Sequence, residues 1–62
     1  MNTQFRNKKI LVAGLGKSGM ATLRFLNECG AAISGYDKVL SDDKRSALAQ
    51  EFPYASFYSD EL

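Results

Sequence analysis

Four apolar residues in a row, Ile10-Leu11-Val12-Ala13, run straight into glycines spaced as G-x-G-x-x-G, Gly14-Leu15-Gly16-Lys17-Ser18-Gly19, and a helical pattern begins within them. No polar residue alternates through the apolar run, the mark of a parallel strand covered on both faces rather than an antiparallel strand with one wet side. A parallel neighbour can be reached only by a long crossover. The chain is thereby committed early to strand, glycine turn, helix, and a second strand beside the first.

The rest of the chain supplies those parts. Strand one is read as Lys9 to Ala13 and helix one as Lys17 to about Cys29. Its buried stripe is Leu23 and Leu26, edged by Met20 and Cys29, with Arg24, Asn27 and Glu28 on the wet side. Gly30 is the stop signal. Ala31 to Tyr36 is strand two, anchored by Ile33, and Gly35 within it predicts the close approach of another backbone or a ligand. Helix two is read from Ser41, an N-cap, to about Phe52. Asp42 and Asp43 sit in its first turn, Leu48 and Phe52 on its buried face, and Pro53 beyond its end. Ala55 to Ser59 is strand three, with either Phe57 or Tyr58 inward. Residues 1–8 form a polar lead-in, and Asp60-Glu61-Leu62 begins a further element.

The fold class is therefore α/β: a Rossmann-like β-α-β-α-β unit, with a parallel sheet of three strands and two helices. Right-handed crossovers put both helices on one face of a 3-2-1 sheet. Ile10 and Val12 point opposite to Leu11 and Ala13, so both faces of strand one are apolar and the second face expects a cover. At 62 residues the chain buries little surface for a free domain. It is read as a domain truncated after its third strand and completed by later elements.

The glycine spacing has a chemical meaning. Gly14 permits the tight turn, Gly16 lets the backbone approach a diphosphate, and Gly19 lets the helix pack closely. The first N–H groups of the helix, near Lys17 and Ser18, face the phosphates with the helix dipole behind them. Ser18 adds a hydroxyl donor, while Lys17 can reach a phosphate or remain in solvent. Asp37 lies 18 residues past Gly19, near the ~20 at which an acid reaches a nucleotide's sugar or base; the alternative is a solvated loop acid. Gly16-Lys17-Ser18 also mimics the end of an ATP-binding P-loop, but G-x-x-x-x-G-K-[ST] requires glycine where Leu11 stands.

Catalytic and metal sites are not expected. The chain has no histidine and one cysteine, Cys29, read as a packing residue, and no carboxylate cluster flanks the glycines. The single cysteine fits a reducing cytoplasm. The net charge of +1 gives no reason to propose nucleic acid or an anionic membrane as partner. No apolar stretch approaches the ~18 residues of a membrane span.

The stretch from Lys9 to Ala21, with GLGKSG at its centre and a following strand ending in Tyr36-Asp37, resembles the opening of the Mur ligases, above all their D-glutamate-adding members. That resemblance covers essentially the whole chain. It implies that residues 1–62 are an N-terminal Rossmann-like domain holding the UDP part of a UDP-linked muramoyl peptide. The implied ligand set is Gly14, Leu15, Gly16, Lys17, Ser18 and Gly19 around the diphosphate, with Asp37 and Lys38 toward the uracil. The family often carries a small hydroxyl residue and then arginine after the acid, where this chain has Lys38 and Val39. The resemblance further implies a cytoplasmic, ATP- and Mg-dependent amide-forming ligase of peptidoglycan synthesis, tied to cell shape and division. ATP, metal and the incoming amino acid are expected on its remaining domains. The rival reading is an NAD-binding half-domain of a dehydrogenase or potassium-transport regulator, in which Asp37 binds the adenosine ribose. A second rival is an interaction fragment with a vestigial loop and no nucleotide affinity.

Overall fold

The computed structural model describes residues 4–60. Five elements follow in order: β1 (Lys9–Ala13), α1 (Lys17–Glu28), β2 (Ala32–Tyr36), α2 (Asp42–Glu51) and β3 (Ser56–Tyr58). The strands form one parallel sheet with β2 in the middle. Lys9 pairs with Ala32 and Ala13 with Tyr36, so β1 and β2 finish level. Tyr36 in turn pairs with Tyr58 of β3. The expected β-α-β-α-β order and three-stranded parallel sheet are both present. Of the lead-in and closing segments read from the sequence, residues 1–3 and 61–62 lie outside the described residues.

Both helices bury their apolar stripes in a single cluster. Leu23 and Leu26 of α1 and Leu48 of α2, with Phe52 at its end, meet Val12 and Ile33 from the sheet, joined by Leu15 and Leu40 from the loops. Phe57 packs against the cluster, while Tyr58 is exposed. Phe57 is thus the inward residue of β3, a choice the sequence left open. Among the described residues no helix covers the opposite sheet face: Leu11 is 58% exposed, Ala13 and Tyr58 are also exposed, and Ser34 and Tyr36 are half-buried. Strand one is therefore apolar on both sides and covered on one.

Local signals set the element ends. Gly30 takes φ +81 after α1, and the Ala31 N–H reaches back to the Leu26 carbonyl at 3.1 Å, closing the helix in a Schellman-type stop. At the start of α2, the Ser41 hydroxyl accepts from the Lys44 N–H at 3.1 Å. Phe5 packs on the core cluster and edge-on to Phe25, with ring centroids 6.1 Å apart. The lead-in is thus not merely polar. An Arg24–Glu51 pair, with Nε 2.6 Å from Oε2, ties the two helices together on the outside.

One expectation is corrected. The glycine in β2 was expected to mark the approach of a backbone or ligand. A Cβ on Gly35 would instead stand 2.8 Å from the Phe57 ring and 3.0 Å from a Leu15 methyl. Gly35 makes room for two core side chains.

Candidate functional site

The site lies where β1 ends. The Gly14 N–H donates to the Tyr36 carbonyl at 2.7 Å, the last main-chain rung between β1 and β2. Gly14 then takes φ +89, a region that disfavours any side chain. The turn passes through Leu15 and Gly16 into α1.

Each motif residue has a distinct place. The Leu15 side chain is 1% exposed and belongs to the core, so only its backbone can face a ligand. A Cβ on Gly16 would meet nothing within 4 Å, leaving open space above the turn. A Cβ on Gly19 would fall 1.8 Å from the Gly14 carbonyl oxygen. Gly19 is thus required by the turn beneath it, and it lets α1 begin directly over β1. Lys17 and Ser18 are exposed in the first turn of α1.

The start of α1 is uncapped. Gly16 offers no side-chain hydrogen bond and the first turn carries no acid. The first N–H inside the helical ladder is that of Met20, bonded to the Gly16 carbonyl at 2.9 Å. The amides of Lys17, Ser18 and Gly19 therefore precede the ladder. They carry the positive end of the helix dipole, an arrangement that suits a phosphate.

Asp37 closes the site from β2. Its Oδ2 accepts from the Leu15 N–H at 2.8 Å, between residues 22 apart in sequence. The Asp37 N–H donates to the Tyr58 carbonyl at 3.1 Å, so the residue is also fixed to β3. The Leu15 amide holds this half-buried carboxyl below the usual carboxylate range. The Lys38 and Val39 amides and the Lys44 charge act in the same sense, and burial opposes them. The acid is therefore not a free loop carboxylate. Lys38 follows it, exposed to solvent.

Beside Asp37, the Tyr36 hydroxyl donates to Asp60 Oδ1 at 2.7 Å, which raises the phenol's pKa. The structure thus gathers Gly14, Gly16, Lys17, Ser18, Gly19, the Leu15 backbone, Asp37 and Lys38 around the carboxyl ends of β1 and β2. Tyr36 and Asp60 were not expected there, and their distance in sequence gave no signal. Among the described residues no group of three or more His, Cys, Asp or Glu is placed to hold a metal ion, and no helix is long and apolar enough to cross a membrane.

No family model and no solved structure matches the chain. Individual proteins do. The chain is 44% identical over 45 residues to the UDP-N-acetylmuramoylalanine--D-glutamate ligase of Lacticaseibacillus casei, a match covering 73% of this chain and 10% of that protein. The ligase of the same name from Lactococcus lactis subsp. lactis is 44% identical over 50 residues, 79% of this chain and 11% of the relative. That of Albidiferax ferrireducens is 35% identical over 54 residues, 87% of this chain and 11% of the relative. The chain spans about a tenth of the length of the relatives it matches. By sequence it resembles the Mur ligases, and within them the D-glutamate-adding enzymes, as its glycine motif and the acid after β2 implied.

Proposed function

We propose that this chain is the UDP-binding part of an ATP-dependent ligase that adds D-glutamate to UDP-N-acetylmuramoyl-L-alanine in cytoplasmic peptidoglycan synthesis. The observation that carries the reading is the uncapped start of α1 with open space over Gly16, in a chain whose relatives are named as that ligase. The diphosphate sits against the amides of Lys17, Ser18 and Gly19, with the Ser18 hydroxyl as a further donor. Gly14 and Leu15 shape the turn beneath it, and Asp37 and Lys38 face the nucleoside. ATP and Mg²⁺ belong, in this reading, to the longer ligase; this segment binds and orients substrate.

The test is an amide-resolved NMR titration of the chain with UDP-N-acetylmuramoyl-L-alanine and, separately, with NAD. The expected result is shifts at Gly16 to Gly19 and Asp37 with the UDP ligand alone. Shifts with NAD alone overturn the reading in favour of a dinucleotide-binding unit. No shift with either ligand favours a loop without nucleotide affinity.

A further inference from the structure

Asp37 poses a problem of charge. A carboxylate beside a site for a diphosphate repels the ligand, so attraction does not account for its position. Its hydrogen bonds do. In an extended strand successive N–H groups point to opposite neighbours. The φ of +89 at Gly14 turns the next peptide back, so the N–H groups of both Gly14 and Leu15 face β2. The first is met by the Tyr36 carbonyl at 2.7 Å and the second by the Asp37 carboxylate at 2.8 Å. The side chain of Asp37 thus takes the rung that follows the last main-chain one.

From this geometry, and resting on the proposed diphosphate site, we infer that Asp37 is a positioning residue for the glycine turn. By holding the Leu15 N–H it fixes the path from Gly14 to Gly16, and so the direction in which the first amides of α1 point. The Leu15 side chain, buried in the core beneath, fixes the same residue from the other side. Asp37 therefore acts on the anion through Leu15 and the turn, whatever else it accepts from a nucleoside.

Inorganic pyrophosphate separates this role from direct contact, because it has neither sugar nor base. Binding of pyrophosphate and of UDP is measured for the wild-type chain, Asp37→Ala and Asp37→Asn, together with hydrogen exchange of the Leu15 amide. If Asp37 positions the turn, Asp37→Ala loses about tenfold in pyrophosphate affinity, the scale of a hydrogen bond to a charged group, and Leu15 exchanges faster. Asp37→Asn, which keeps an acceptor and removes the repulsive charge, retains pyrophosphate binding and Leu15 protection. The inference is overturned if Asp37→Ala binds pyrophosphate as tightly as wild type or more tightly. Should Asp37→Ala fail to fold, loss of Leu15 protection in a folded Asp37→Asn at unchanged pyrophosphate affinity overturns it equally. A wild-type chain that binds neither ligand overturns the proposed function instead, and Leu15 exchange in the variants then decides the positioning role alone.

Discussion

The fold makes the strand-to-helix connection twice and finishes it in opposite ways. After β2 the chain reaches α2 through Ser41, whose hydroxyl caps the Lys44 amide, and Asp42 and Asp43 occupy the first turn. That helix start is satisfied by its own side chains. After β1 the chain reaches α1 through Gly14, Leu15 and Gly16, with no side-chain cap and no acid in the first turn. The two connections leave the same sheet at the same end. Only the first keeps its amides available to an anion from outside, and the difference lies in a handful of side chains.

The strongest way to break the contrast is to deform the open turn. Gly19→Ala places a methyl 1.8 Å from the Gly14 carbonyl, so α1 must shift, at a cost of about 3 kcal/mol on the scale of overpacked cores. Urea unfolding of the variant measures it, and a wild-type midpoint would refute the packing account. Next comes Gly16→Val, where no atom lies within 4 Å of the added Cβ. Stability should change by less than about 1 kcal/mol, while affinity for the UDP ligand falls at least about tenfold as the branch fills the diphosphate space. Titration calorimetry beside an unfolding curve separates the two effects. In the closed connection the outcome is reversed. Ser41→Ala should cost about 1 kcal/mol of stability and leave UDP affinity untouched, by the same pair of measurements.

The smallest effect is on pH. The Asp37 carboxyl is held below its ordinary range, chiefly by the Leu15 amide. Its contribution is therefore complete above the unfolded aspartate value of about 3.9 and is lost as pH falls through the lower folded value. Urea midpoints below pH about 4 should fall less steeply in Asp37→Asn than in wild type. Equal slopes would mean that the carboxylate adds nothing to the turn. Glu51, lowered by Arg24, contributes in the same direction in both chains, and because that pair is exposed its share should shrink with added salt.

What could be read from the sequence was whatever one short window contains. The Leu23–Leu26 spacing, the Ser41 cap, the Gly30 stop and the glycine turn are each local patterns with local causes. Leu15 and Leu40 were not legible as core residues, because they lie in loops where no period announces burial. The partnership of Asp37 with Leu15 was likewise out of reach, since it depends on β1 and β2 ending level across 22 residues. Gly35 misled for a related reason: a glycine in a strand signals that something comes close, but only the register of β3 reveals that it is Phe57. The local patterns thus placed the glycine turn and the acid at the ends of β1 and β2, and tertiary pairing determined which backbone groups there are engaged.

Leu15 carries a thermodynamic consequence. Its side chain sits in the main cluster while its amide belongs to the turn, so the turn cannot loosen without disturbing the residues that hold the helices to the sheet. A ligand that grips this turn is therefore coupled to unfolding of the whole unit rather than to fraying of a loop. Saturation at 100 times the dissociation constant should raise the global unfolding free energy by about 2.7 kcal/mol. A plain melting curve, with no probe placed near the glycines, then suffices to rank candidate nucleotides.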